Sequence, residues 1–415
     1  MILKKKSART SRNFFNMTTT ATTKGWENTK LNNLVDYIVD NRGKNPSVFY
    51  DSGIPVIDNF MITGNKSVDL ENAKRFIDEK TFQDFIRKYL KENDVLVTLV
   101  GNGFGNVALA PKEESVIIQN TIGIRCGKKC LNEFLYYYLL LNKYKITELD
   151  RGAAQPSVKV SDLLSIELSL PSVQIQEKIV DNLTSYDDLI ENNTHRIKIL
   201  EQIAQAIYTE WFSALDDKGA ALDGVITIQR GKSYKGSELS DSEGVPFVNL
   251  KCIDRDGGFR KSGLKHFTGD YKDSYKVIAG DIVMAVTDMT QDRRIVARAA
   301  RVPSLDGGFG VISMDLVKIE PREGVNLDYI YALLRWSGFA DEVKNHANGA
   351  NVLHLIPNRI TDYKAAIAPK EKQKEFGDQV SPILDLIDKL ELKNESLRES
   401  RGLLLPKLMT GEINV

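Results

Sequence analysis

Apolar side chains recur at alternating steps of four and three along the middle of the chain: Ile179, Leu183, Tyr186, Ile190, Asn193, Ile197, Leu200, Ala204, Ile207 and Trp211. That spacing is a heptad seam. No Pro or Gly interrupts the stretch from Ile175 to Ser213, so it predicts one continuous helix, about 58 Å long at 1.5 Å per residue. Alone, such a helix has nothing to bury its seam against. Near the C-terminus Phe376, Val380, Ile383, Ile387, Leu390, Asn394, Leu397, Arg401 and Leu404 repeat the same steps. Ile179 and Phe376, Ile190 and Ile387, Leu200 and Leu397, and Ile207 and Leu404 are each 197 residues apart. The interval predicts a tandem duplication and a helix pair whose interface holds Ile179, Leu183, Ile190, Ile197, Leu200, Phe376, Val380, Ile387 and Leu397. Asn193 and Asn394 put polar groups into the seams, where they cost stability and set register and partner choice.

Ahead of the first long helix, short β-rich runs alternate with polar turns. From Trp26, "LNNLVDYIVDNRGKNP" reads as an extended segment turning at Arg42-Gly43-Lys44, and a short strand begins near Ile54. The charged segment "ENAKRFIDEKTFQDFIRKYL" reads as helix, "NDVLVTLVGNGFGNVALAP" as two strands around a Gly-punctuated loop, "SVIIQNTIGIRC" as a strand and "NEFLYYYLLLNKY" as a helix. The second half replays the order. Arg230-Gly231-Lys232 answers Arg42-Gly43-Lys44, "GVPFVNL" answers "GIPVIDN", "AGDIVMAVT" answers "ENDVLVTLV" with Asp281 facing Asp94, and "LDYIYALL" answers "NEFLYYYLL". Pro171 and Pro369 each lead into a long helix. The fold class that follows is α/β (α+β): two mixed α/β domains in pseudo-twofold tandem repeat, joined by two long antiparallel coiled-coil helices, with the domains at opposite ends of a rod.

Composition narrows the class. A chain of 415 residues with 42% hydrophobic and 27% charged residues is globular, and no apolar run reaches the roughly 18 residues of a membrane span. Cys126, Cys130 and Cys252 read as reduced thiols of a cytoplasmic protein. Net charge is zero, but Lys4, Lys5, Lys6, Arg9, Arg12 and Lys24 stand without an acid in residues 1 to 24, so the rest holds 50 basic groups against 56 acidic ones. That balance disfavours a self-sufficient nucleic-acid binder. The basic, Ser/Thr-rich start fits a disordered tail or a leader ahead of Met17 better than a transit peptide.

No catalytic constellation emerges. Gly231-Lys232-Ser233 would end a phosphate loop only if Ile226 were Gly. Gly101-Asn102-Gly103-Phe104-Gly105 lacks the G-x-G-x-x-G spacing and leads into β-rich sequence. There is no Pro-Pro dipeptide for the Asn/Asp-Pro-Pro-aromatic loop of an amino-methyltransferase, and acid-x-Lys triplets such as Asp270-Tyr271-Lys272 are expected at this charge density. His195, His266, His346 and His354 form neither a metal pattern nor a triad. What remains suits reading rather than reacting. Asn102, Phe104 and Asn106 in the first copy, and Thr287, Asp288, Thr290, Gln291, Arg293 and Arg294 in the second, sit on loops. There Arg, Asn and Gln can make bidentate bonds to purine edges, and Thr can meet an acceptor or a thymine methyl. Lys44, Lys232 and Lys251 would neutralise phosphates, and Arg42 and Arg230 flank them as further DNA-binding candidates. The same loops read equally well as solvated turns.

"RGAAQPSVKVSDLLSIELSLPSVQIQEKIV", followed by the heptad helix, closely resembles the first conserved region of specificity subunits of type I restriction-modification enzymes. "LPKLMTGEI" resembles that family's closing motif and "IYTEWF" its counterpart in the first repeat. The resemblance covers the chain from about Trp26 to the end. In the second repeat Gln155-Pro156 is replaced by Asn351-Val352, and Pro382 falls early in the second helix, which should therefore kink or begin late. With the charge break after Lys24, the division is a basic tail over 1–24, target-recognition domains over 25–171 and 214–369, and conserved helices over 172–213 and 370–415. The resemblance implies a chain without catalysis or metal of its own, each domain reading one half of a bipartite, asymmetric DNA target. It further implies that the helix pair sets the spacer and docks two adenine methyltransferase subunits, with two translocase/nuclease subunits joining for restriction. S-adenosylmethionine, ATP and Mg then belong to the partners, in a prokaryotic cytoplasm. The other reading is an assembly protein whose coiled-coil rod carries protein-binding end domains.

Overall fold

The computed structural model describes residues 25–43, 45–150, 152, 155–215 and 219–415. The basic start, from Lys4 to Lys24, and Lys44 lie outside the described residues. By its internal contacts the chain forms two compact units, one running to Glu191 and adding Ser396–Val415, the other Asn192–Glu395.

In the first unit, β1 (Glu27–Lys30) pairs antiparallel with β6 (Glu167–Leu170). A four-stranded antiparallel sheet runs β2 (Val35–Val39), β5 (Thr121–Cys126), β3 (Val95–Thr98), β4 (Val107–Leu109). Val95, Leu96 and Val97 of β3 and Ile122 and Ile124 of β5 are buried because the sheet is covered, and α1 (Asn132–Leu141) is part of the cover, burying Phe134, Leu135 and Tyr137. The second unit repeats this plan. There β7 (Ala220–Ala221) pairs with β14 (Lys364–Ala365), and the sheet runs β8 (Ile226–Arg230), β12 (Leu316–Pro321), β9 (Ile282–Ala285), β11 (Ala299–Arg301), covered by α3 (Leu327–Trp336). The order within the two sheets is the same, as a duplication requires. A parallel Phe247–Val311 pairing in the second unit matches a parallel Val56–Val116 bridge in the first. In the second unit that pairing belongs to a five-stranded sheet, whereas in the first the neighbouring strand pair is only Ile54–Pro55 with Phe76–Ile77. The charged segment read as one helix delivers only Glu79–Asp84, after the 3-10 turn Leu70–Asn72 and the strand Phe76–Ile77. Ile77 is buried as a strand residue there, so tertiary pairing overrides helix propensity.

The two long helices, α2 (Val173–Phe212) and α4 (Lys370–Met409), have forty residues each. Each unit contains a part of each, and in both units the two parts run antiparallel. In the second unit Asn193 Nδ2 donates to Asn394 Oδ1 at 2.9 Å, while farther along α2 Tyr208 and Phe212 meet Phe376 with centroids 6.1 and 5.2 Å apart. In the first unit Arg401 pairs with Asp187, and toward the start of α2 Lys178 donates to Val415 O. Ile179, Leu183, Phe376, Val380 and Ile387 are buried, and Ile190, Ile197, Leu200 and Leu397 half-buried. The buried stripe is wider than the heptad seam, taking in Asp187, Tyr208 and Phe212, because each helix packs on its domain's core as well as on its partner. Pro382 neither delays nor ends α4, which starts at Lys370, correcting the expected late start. It sits on the exposed side, as does Asp378 four residues earlier, so water can satisfy the carbonyl that the proline leaves without a donor.

Equivalent polar locks fasten both copies. Gln176 and Gln373, 197 residues apart, are both buried. Gln176 Nε2 donates to Pro171 O and Lys129 O, each at 2.9 Å, and its Oε1 accepts from Leu131 N. Gln373 Nε2 donates to Ala368 O at 2.8 Å and its Oε1 accepts from Asn326 N. In each copy the lock ties the start of a long helix to the residue just before α1 or α3. Asp94 and Asp281 correspond as read: Asp94 receives Arg125 through both oxygens at 2.8 and 2.6 Å, and Asp281 pairs with Lys318 at 3.0 Å.

Candidate nucleic-acid interface

In the first unit, β3 and β4 are joined by a loop in which Gly101, Gly103 and Gly105 have φ of +82°, +81° and +79°, a backbone that only glycine adopts without strain. Asn106 supports this loop rather than reading from it. Its Nδ2 donates to Ile62 O at 2.6 Å and its Oδ1 accepts Lys143 Nζ at 2.6 Å. Phe104 is half-buried against the core, and Asn102 is exposed at the tip. From outside the loop Asn59 Nδ2 donates to Val100 O, and Gly101 N donates to Pro156 O at 3.1 Å. The result is a shallow depression lined by Gly101, Asn102, Gly103, Phe104, Lys143, Gln155 and Pro156. Arg42 belongs to a different edge. It grips Asp40 at 2.9 and 2.8 Å, and that hydrogen bond is the main reason the Asp40 carboxyl lies below its usual range. The neighbouring Asn41 bonds to Lys88 O and Ile117 O.

The second unit builds its loop from different chemistry. β10 (Thr287–Asp288) pairs with β13 (Leu353–His354). Two residues read as base-facing are buried here: Thr287 is 2% exposed with Oγ1 3.4 Å from His354 Nδ1, and Asp288 is 0% exposed. Asp288 organises the loop instead. Its Oδ1 accepts Thr290 N and Thr290 Oγ1 at 2.8 Å, and its Oδ2 accepts Ile295 N at 2.8 Å and Val296 N at 3.3 Å. Burial pushes its pKa up, but these donors outweigh it and hold the carboxyl below its ordinary value. So laced, the loop exposes Met289, Thr290, Gln291 and Arg294. Gln291 Nε2 donates to Ala350 O at 3.0 Å, and Arg294 lies 3.3 Å from Asp292. Arg293 has φ +51° and is half-buried, with a buried Nε that has no hydrogen-bond partner.

Two basic candidates adjoin this loop through one segment. Arg230 Nε reaches Met314 O at 3.4 Å and Lys232 bridges Ser313, while Val286 N bonds to Asp315 O. Gly231 is required by packing, since a Cβ there would run into Ser313 O. Lys251 is exposed on the 3-10 turn Leu250–Cys252. The two Arg-Gly-Lys triplets are not in equivalent places, because Arg230 ends its strand whereas Arg42 lies beyond the end of β2. One alignment also moves by a residue. Val100 pairs with Ser157 and Thr287 with His354, so Val352-Leu353, not Asn351-Val352, stand where the first copy has Gln155-Pro156. Sequence alone gave Asn59 no role, met His354 only as a histidine outside any metal pattern or triad, and met Gln155 only within the stretch that resembles the family's conserved region; contacts between distant segments bring all three to the loops. Among the described residues no cluster of His, Cys, Asp and Glu could hold a metal ion, and no helix is long and apolar enough to cross a membrane.

Residues 23–202 match the model of the type I restriction modification DNA specificity domain. The type I restriction enzyme MjaIX specificity subunit of Methanocaldococcus jannaschii is 24% identical over 407 residues, covering 90% of each chain. The MjaVIII specificity subunit from the same organism is 22% identical and covers 94% of this chain and 93% of its own. In fold, the crystal structure of a type I restriction-modification system S subunit from M. genitalium aligns with a TM-score of 0.57 at 16% identity, over 92% of this chain and 96% of that one.

Proposed function

We propose that the chain is a specificity subunit of a type I restriction-modification system, each of whose units reads one half of a bipartite, asymmetric DNA target. The observation that carries this is one sheet order used twice, with unlike loops at the same place: a Gly-Asn loop after β3 and a Thr-Gln-Arg loop after β9. Equal scaffolds with different donor and acceptor sets are what two different half-sites need. On this reading the recognition domains are 25–171 and 214–369. In the second, Gln291, Arg293 and Arg294 meet bases with Thr290, while Arg230, Lys232 and Lys251 meet phosphates. In the first, Asn102 meets bases with Phe104 beside it, Asn106 holds the loop, and Arg42 and Lys44 contribute charge. Thr287 supports its loop from beneath.

The helices over 172–213 and 370–415 set the spacer and dock two adenine methyltransferase subunits, to which two translocase/nuclease subunits attach. The chain makes and breaks no covalent bond; S-adenosylmethionine, ATP and Mg serve its partners in a prokaryotic cytoplasm. Its mildly acidic body fits this division of labour, the partners supplying much of the cationic surface that DNA requires. Replacing Arg294 with Ala should cost about 1–3 kcal/mol and relax one position of one half-site, read as altered methylation by the reconstituted complex. An unchanged target would remove Arg294 from the reading set.

A further inference from the structure

One short turn is built alike in both units and carries different side chains. In the first it spans Asn59–Met61, and Asp58 N donates to Met61 Sδ at 3.4 Å; in the second it spans Leu250–Cys252, and Asn249 N donates to Cys252 Sγ at 3.5 Å. Phe60 and Lys251 therefore hold the same place, and both are exposed. The residue before them sets what the turn touches. Leu250 packs into an apolar cluster, whereas Asn59 ties the turn to the candidate reading loop. Asn59 Nδ2 donates to Val100 O at 2.8 Å and Asn102 O at 3.4 Å, and its Oδ1 accepts the Thr121 hydroxyl at 3.0 Å. A ring that is 48% exposed thus stands beside the loop whose tip is Asn102. The cation is not lost from this place. Arg75 Nε donates to Asp58 Oδ2 at 3.1 Å, fastening a second segment onto the turn, and the adjacent Lys74 sets its Nζ 5.3 Å from the Phe60 centroid.

A flat apolar ring cannot pair with a base edge through hydrogen bonds, but it can cover the C5 methyl that only thymine presents in the major groove. An ammonium held over the same ring supplies charge for a neighbouring phosphate. Resting on the DNA-reading function proposed above, we infer that Phe60 is a specificity-determining residue of the first unit. Its ring contacts a thymine methyl in that unit's half-site while Lys74 meets the phosphate beside it. Phe60 lies outside the stretches that resemble the conserved regions of specificity subunits, as a residue that differs between targets has to. In the second unit Lys251 offers charge alone at this place, so the turn there holds the DNA backbone without choosing a base. One exchange on a repeated turn thereby adds a base-specific contact to one half-site.

The test uses the full chain assembled with its adenine methyltransferase. A map of N6-methyladenine made by the unaltered complex gives the target. In duplexes carrying that target, each half-site thymine is then replaced in turn by deoxyuridine, which removes only the methyl. At one thymine of one half-site the unaltered complex should lose about 4-fold in kcat/KM, the worth of one buried methyl group. Phe60→Ala and Phe60→Lys, the latter copying the second unit, should methylate the thymine and uracil duplexes equally at that position and keep every response at the other half-site. Lys74→Ala should keep the uracil response while lowering kcat/KM by the same factor on both duplexes. No uracil response in the unaltered complex, or Phe60 variants that retain its response or lose activity on every duplex, would overturn the inference and leave Phe60 as a support for the turn. An unaltered complex that gives no bipartite target would instead overturn the proposed function, and this inference with it.

Discussion

Asp288 holds its loop with one buried carboxylate and four donors, two of them amides of Ile295 and Val296. Replacing it with Ala leaves those amides without an acceptor, so Asp288→Ala should lower stability by about 2–4 kcal/mol in denaturant titration and blur one half-site. Its folded pKa is depressed, so this contribution is present at neutral pH and is lost only as acid protonates the carboxylate below its ordinary range. Glu391 behaves oppositely. Burial, with Asp388 and Glu201 beside it, pushes its carboxyl from 4.5 up to about 7, against the pull of Lys261. The folded protein therefore holds that proton more tightly than the unfolded chain. Stability from this group is full below the unfolded value and falls as pH rises toward the folded one. Glu391→Gln mimics the protonated form, so it should stabilise at pH 8 by about 1–3 kcal/mol and have little effect at pH 4. Thermal melts at the two pH values check the sign; an equal effect at both would contradict it.

Among the elements, the long helices were the most legible in sequence, because forty residues repeat one pattern and Ile179, Leu183, Phe376 and Val380 are buried as the seam requires. Phe376 meets Tyr208, Trp211, Phe212 and Tyr329 with centroids 5.2 to 6.4 Å apart, so Phe376→Ala should cost about 3–5 kcal/mol in equilibrium unfolding. The strand and loop order was also readable, since Val- and Ile-rich runs around glycines leave few alternatives. Three readings failed for tertiary reasons. The segment at 71–90 became a turn, a strand and a short helix because Phe76 and Ile77 pair with Pro55 and Ile54. Pro382 was tolerated because it faces water. Asp288 and Thr287 looked like readers because sequence cannot distinguish a polar residue that faces DNA from one that laces a loop from below. Gln155 was visible only as part of the family-like stretch, because its place beside Gly101 depends on strand pairing across more than fifty residues.

For the whole molecule, the proposed function, with two readers on a duplicated frame, predicts a target whose halves vary independently and whose spacer follows helix length. The Asn193–Asn394 bond means that lengthening one helix alone would set an Asn against an apolar position. The informative change is one heptad added to both helices at matched positions, about 10 Å of rise. It should lengthen the spacer by roughly three base pairs and leave both half-sites intact; altered half-sites with an unchanged spacer would show that the helices are not the ruler. The most direct measurement of the central claim is a base-resolution map of N6-methyladenine in a host carrying this chain and its methyltransferase. The account predicts one adenine methylated on each strand of a bipartite, asymmetric sequence with a fixed gap. A continuous target, or a methylation pattern that is the same without this chain, would contradict it.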